Sequence, residues 1–213
     1  METKFDIILV SWERLDYLKR TIASLITSGA WNDAERVIIV DNGSLDHEVA
    51  VFLTQIKRMN NAFIVMRPRN EGWGKAVNDA LGLSRAPYLF ICNNDVDFNV
   101  VDFHKKMLDI FAQHRGEFDA EKIGILGVWR HTAHGEVKDG YNRNGFIEMD
   151  NVPAVGWMMP KSAMEKVGML PEKGPCFTKG GNGEDTEYVG RMKQYGYLTG
   201  VPKTDLATHI DGY

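Results

Sequence analysis

Through its first hundred residues the chain alternates short β-branched runs with longer stretches whose apolar residues recur at helical spacing. Residues 5–10 read as a strand. Leu15, Leu18, Ile22, Leu25 and Ile26 then mark an amphipathic helix closed by Gly29. Residues 37–40 read as a second strand, and Val49, Phe52, Leu53 and Ile56 as a second helix. A third strand falls at 63–66, a third helix at about 74–83, and a fourth strand at 88–92. Strands separated by helices of this length join by right-handed crossovers, which predicts an α/β fold with a mostly parallel central sheet covered on both faces. Polar residues gather where each strand ends: Ser11 and Glu13, Asp41 to Ser44, Arg67 to Glu71, and Asn93 to Asp97. The ligands of open α/β sheets bind at that rim.

The fourth strand empties into Asn93, Asn94, Asp95, Val96 and Asp97. Two carboxylates spaced i, i+2 after a strand make an ordinary Asx turn. At a rim already lined with polar groups they also supply hard oxygen ligands, and a divalent ion held there can neutralise a diphosphate.

Beyond residue 98 the texture changes. A helix at about 101–114 and a strand at 123–128 remain regular, whereas 129–150 is polar and glycine-rich, a hairpin or an excursion over the rim. Residues 152–159 read as a strand in which Gly156 permits a close backbone approach. Residues 171–183 hold four glycines and two prolines, the composition of a loop that changes shape over a site. Glu184 and Asp185 follow directly, in the first turn of a helix carrying Tyr188, Met192 and Tyr195, where the helix dipole favours acids. His209, taken alone, is a structural side chain more readily than a ligand.

The 213 residues allow one larger domain, or one domain with a small appendage. A net charge of −4 leaves no overall basic footprint for nucleic acid or an anionic membrane. Cys92 and Cys176 are too few for a disulfide framework. With no signal-like start and no apolar run of eighteen residues, a cytoplasmic protein with reduced thiols is expected.

Taken together and in order, six segments resemble the GT-A fold glycosyltransferases, most closely the inverting family 2 enzymes. They are Ile7–Trp12 with Leu15, Val40–Ser44, Arg69–Gly74, Asn94–Asp97, Gly156–Met159 and Gly181–Glu187. The last two are also similar to the acceptor half of β-1,4-galactosyltransferases. The resemblance spans about residues 5–210. It implies a single Rossmann-like GT-A domain over 1–213, with a nucleotide-sugar half (1–98) and a smaller acceptor half (99–213).

The resemblance also implies roles. Ser11, Trp12 and Asp41 would meet the nucleotide, Asn70 and Gly72 would lie near the sugar-nucleotide, and Asp95 would hold ribose or sugar, with Trp157 also on the donor. Asp97 and His209 would ligate a divalent metal, Mn2+ or Mg2+, on the diphosphate. Asp185 would be the general base, and Glu184 would orient the acceptor. The expected partners are a nucleotide-diphospho-sugar, UDP-linked by preference, and a hydroxyl acceptor, a glycan in the first instance. Three other readings use the same residues: a nucleotidyltransferase, a non-catalytic nucleotide-sugar binder, and a phage-type transferase acting on hydroxylated bases in DNA. The acidic net charge disfavours the DNA acceptor, and the acids at 184–185 disfavour the first two.

Overall fold

In the computed structural model, residues 3–114, 122–129, 141–172 and 183–210 are described. The expected loop at 171–183 therefore lies largely outside them, as do Cys176 and half of the expected excursion at 129–150.

Period-two alternation places the core on both sides of one sheet. In β1 (Phe5–Ser11), Ile7 and Leu9 face one layer, Ile8 and Val10 the other, and every residue of the strand is buried. β2 (Arg36–Asp41), β3 (Ala62–Met66) and β4 (Tyr88–Asn93) run parallel in the order β3-β2-β1-β4. Near-continuous apolar runs are what strands covered on both faces require. On one face lie α1 (Leu15–Thr27) and α3 (His47–Ile56), whose Leu18, Ile22, Leu25, Val49 and Leu53 fill the same cluster. The other face receives α4 (Trp73–Leu81) through Ala76, Val77 and Ala80.

The sequence periodicity left out one helical turn, α2 (Ala30–Asp33), which Gly29 opens at φ +87°. Gly29 therefore starts a second helix rather than only closing the first; Ser28 caps α1.

The second half extends the sheet by strands of mixed direction. After a two-residue strand β5 (Val96–Asp97) comes α5 (Phe103–Gln113), which adds Phe103, Met107, Ile110 and Phe111 to the α1 layer. β6 (Ile123–Gly127), β7 (Tyr141–Asn142), β8 (Phe146–Glu148) and β9 (Gly156–Pro160) follow, then α6 (Lys161–Val167), α7 (Glu184–Gln194), β10 (Leu198–Pro202) and β11 (Thr208–His209). The full order is β3-β2-β1-β4-β9-β6-β10-β8-β7. β9 is antiparallel to both β4 and β6, so the parallel pattern of the first half gives way there. At Gly156 side chains come close, where the sequence led us to expect backbone: a Cβ would lie 2.9 Å from Val128 Cγ2 and 3.3 Å from the Phe90 ring. β5 and β11 form a separate antiparallel pair above the main sheet.

Trp157 sits at the centre of the α4, α6 and α7 layer. It is fully buried, edge-on to Trp73 and stacked on Tyr188, and its indole N–H donates to the carbonyls of Val152 (3.2 Å) and Pro153 (2.9 Å). Replacing it by Phe leaves those carbonyls without their donor and shrinks the side chain. Trp157→Phe is expected to lower unfolding free energy by about 1–3 kcal/mol, read as a lower urea midpoint at unchanged m. An unchanged midpoint would show that the indole does not hold this layer together.

Candidate active site

The C-terminal ends of β1, β2 and β4 share one rim, because register sets Ser11 beside Asp41 and Val10 beside Asn93. The chain leaves β1 through Glu13 and Arg14, both in the left-handed region at φ 53° and 56°. Two consecutive non-glycine residues there are costly, and such strain concentrates at functional sites. Their conformation is held by bonds. Glu13 N–H donates to Ser44 Oγ at 2.8 Å, and the Glu13 carboxylate accepts from Leu45 N–H (2.7 Å) and Asp46 N–H (3.3 Å). Asn94 Nδ2 donates to the Glu13 carbonyl at 3.1 Å and to Ser11 Oγ at 3.4 Å. Trp12, 39% exposed, stands at the mouth of this loop.

Asp41 lies beneath it and accepts from Ser44 Oγ–H at 2.5 Å. Burial pushes its pKa above the usual carboxylate range, and the nearby Glu13 charge pushes the same way, against the Ser44 bonds.

The next wall is an amide network. Asn42 Nδ2 donates to Asn70 Oδ1 (3.0 Å) and to the Gly72 carbonyl (3.2 Å), and Asn70 Oδ1 also takes Gly72 N–H at 3.0 Å. Behind it the buried Arg67 guanidinium reaches Asn42 Oδ1 at 2.8 Å, Asp79 at 3.2 Å, and Glu71. Gly43, at φ +77°, lets the two loops touch, since a Cβ there would overlap the Arg69 backbone. Asn70 and Gly72 thus form one wall with Asn42.

The β5–β11 pair builds the third wall. His209 Nε2 lies 3.4 Å from Asp95 Oδ2, Ile210 N–H donates to the Asp95 carbonyl at 2.8 Å, and Trp129 stacks on the His209 ring. Asp97 turns elsewhere: its Oδ2 takes Arg20 Nη2 at 2.7 Å and Nε at 3.0 Å. Among the described residues, His209 is paired with Asp95 and Asp97 with Arg20. Asp95 Oδ1 and Asn93 Oδ1 are buried with no hydrogen-bond partner among the described residues. Buried acceptors of that kind are uncommon in folded proteins, and at a rim they point to a ligand.

The fourth wall is the start of α7. Glu184 is buried and its Oε2 accepts from Gly74 N–H at 3.3 Å, while Asp185 is half-exposed and accepts from Thr186 N–H at 2.8 Å. Trp157 lies below, in the core. The fold therefore gathers Ser11, Trp12, Asp41, Asn70, Gly72, Asp95 and His209 around the sheet rim, with Glu184 tied to the helix that follows Gly72.

Two contributors carried no local sequence signal. Arg20 meets Asp97 across 77 residues, and only the path of the chain along α1 joins them. Asn93 ends a strand whose other residues are apolar, and its unpaired oxygen is visible only once burial is known. A separate Asp33–Asp102–His104 group lies at the opposite rim, where Asp33 precedes β2. Lys105 Nζ already bridges its two carboxylates at 2.9 and 3.0 Å, so a cation's place there is taken by the chain itself.

Known proteins share this fold. The family model described as glycosyl transferase family 2 matches residues 6–168. No curated protein matches. Among solved structures, the mannosyltransferase PcManGT from Pyrobaculum calidifontis, in complex with GDP-Man and Mn2+, superposes with a TM-score of 0.71 at 13% identity, covering 95% of this chain and 55% of its own. GalNAc-T7 with UDP, GalNAc and Mn2+ gives 0.77 at 11% identity, covering 97% of this chain and 44% of its own. The 1–349 fragment of S. aureus TarS with UDP-GlcNAc gives 0.64 at 15% identity, covering 99% and 61%. This chain thus spans about half the length of the structures it resembles, and at these identities the likeness is one of fold. With a family model matching about three quarters of its length and a GT-A sheet carrying a polar rim, the chain belongs to glycosyl transferase family 2.

Proposed function

We propose that this glycosyltransferase moves a sugar from a nucleoside diphosphate sugar, UDP-linked by preference, to a hydroxyl of a glycan acceptor, with inversion and with the help of a divalent metal. The observation that carries the reading is the Asp95–His209 pair. A carboxylate with one oxygen 3.4 Å from an imidazole, and the other buried without a partner among the described residues, is a hard-ligand seat beside the strand ends where a diphosphate would lie. The donor set of carboxylate and imidazole fits Mn2+, and Mg2+ less closely. Asp97, held by Arg20, is then an orienting residue for the β5 strand or a ligand only after that ion pair opens. When bound, the metal supplies charge stabilisation to the departing diphosphate. The Mn2+ and nucleotide-sugar complexes of the fold neighbours support the same reading.

The chain's own groups divide the remaining work. Ser11, Trp12 and Asp41 bind the nucleoside, with Trp12 offering an aromatic face at the loop mouth. Asn70 and Gly72 approach the sugar-nucleotide along the amide wall. Asp185 accepts the proton of the attacking hydroxyl, a contribution of about 10²–10⁴ in rate. It is half-exposed at the head of α7, where an acceptor can reach it from solvent.

Among the described residues no helix is long and apolar enough to cross a membrane. Cys92 is a buried free thiol at the end of β4. We infer a cytoplasmic setting from these features, in which the thiol stays reduced.

Asp185→Asn is expected to retain nucleotide-sugar affinity in calorimetry and to lose transfer by about 10²-fold or more; normal turnover would put the base elsewhere. Asp95→Asn should abolish the Mn2+-dependent part of nucleotide affinity, and Asp97→Asn should reduce it much less. The opposite ranking would return the metal to Asp97.

Asp41 makes a pH-dependent prediction. Its folded pKa is raised, so ionisation above that pKa costs stability, and the cost disappears as pH falls through it. Asp41→Asn, which still accepts from Ser44, should therefore melt higher than the parent at neutral pH. The gap should close in mildly acidic buffer, while nucleotide binding weakens. A lower melting temperature at neutral pH would show that the carboxylate is stabilising.

A further inference from the structure

The proposed base and the proposed donor wall belong to different halves of the chain, and one short helix joins the wall to Glu184, the residue before the base. α4 begins directly after Gly72, whose carbonyl takes Asn42. One turn into that helix, the buried Asn78 grips the main chain of Leu170 from two directions. Its Nδ2 donates to the Leu170 carbonyl at 3.0 Å, and Leu170 N–H donates to Asn78 Oδ1 at 3.0 Å. Asn78 Nδ2 also reaches Glu172 Oε1 at 2.9 Å.

At the head of the same helix, Gly74 N–H donates to Glu184 Oε2 at 3.3 Å. That N–H belongs to the first turn, where no intrahelical carbonyl is available, so a carboxylate there satisfies an open donor and meets the favourable end of the dipole. The approach is close: a Cβ on Gly74 would overlap the Pro171 carbonyl and come within 3.5 Å of Glu184 Oε1. Glu184 is 8% exposed, and its neighbour in the chain is Asp185.

We propose that Glu184 is a positioning residue, through which the first turn of α4 fixes the head of α7, and with it Asp185, against the donor wall, while Asn78 holds α4 to the chain at Leu170 and Glu172. The inference rests on the reading of Asp185 as the base. It gives Glu184 a different task from binding the acceptor, because its carboxylate is engaged by the α4 backbone. A base displaced by about 1 Å can lose about 10²-fold in rate with no change in what binds the donor.

The test compares Glu184→Ala with Glu184→Gln, whose amide oxygen still accepts from Gly74 N–H. Readouts are kcat, acceptor KM, calorimetric affinity for the nucleotide sugar, and hydrogen exchange at the Gly74 amide. Glu184→Ala is expected to speed Gly74 exchange and lower kcat by about 10²-fold at unchanged donor affinity. Glu184→Gln is expected to recover most of the lost rate at parental acceptor KM. Should Glu184→Ala fail to fold, Glu184→Asp, whose shorter side chain falls short of Gly74 N–H, is expected to lower kcat in the same way. A Glu184→Gln enzyme as slow as Glu184→Ala, with acceptor KM raised in both, would overturn the proposal by showing that the carboxylate meets the acceptor. Parental kcat in Glu184→Ala would overturn it alone, whereas parental turnover in Asp185→Asn would overturn it together with the base assignment.

Discussion

A strand buried on both faces has no side on which to carry a charge, so its polar chemistry is pushed to its ends. β1, β2 and the apolar part of β4 are sealed between an α1–α3–α5 layer and an α4–α6–α7 layer. Because the three strands are parallel and in register, their ends coincide, and Ser11, Asp41 and Asn93 arrive at one rim together. The core thus dictates where the site is. The loops that follow then hold one another through the Glu13, Ser44 and Asn42 bonds, so the rim is a cross-linked surface rather than a set of independent tips.

What the core does not supply is the opposite wall, and that comes from chain returning late. β11 pairs with β5 and delivers His209 to Asp95, while α7 delivers Asp185 beside a helix rooted in the first half. Both contacts are made by residues about a hundred positions apart. The inverting transfer we propose would need such an arrangement, because the attacking hydroxyl and the leaving diphosphate would lie on opposite faces of the sugar.

The first half was legible because its pattern is local. Residues 5–10, 37–40, 63–66 and 88–92 each fall within an observed strand, and the helices between them carry their apolar residues at the spacing that faces the sheet. Several residues of the six ordered segments, Ser11, Asp41, Asn70 and Asp95 among them, lie around the rim that the strand ends form. Spacing could not show which carboxylate meets His209. That depends on β5 pairing antiparallel with β11, which sets Thr208 opposite Asp97 and His209 opposite Val96, and on Arg20 waiting for Asp97 on a helix far away in sequence. Trp157 illustrates a second limit. A tryptophan in a glycosyltransferase-like segment reads equally as a platform for a ligand or as core, and only its burial and its bonds to Val152 and Pro153 separate the two. The antiparallel insertion of β9 was hidden for a similar reason: an apolar strand sequence carries no mark of direction.

The central claim is that this rim binds a nucleotide through a metal. The most direct measurement is a thermal-shift panel of nucleoside diphosphates and nucleotide sugars, each with Mn2+, Mg2+ or chelator. One nucleoside family is expected to stabilise the protein in the presence of Mn2+, with chelator removing the effect; ligand at 100 times its Kd is worth about 2.7 kcal/mol. Equal stabilisation with and without chelator, or none from any nucleotide with either metal, would contradict it.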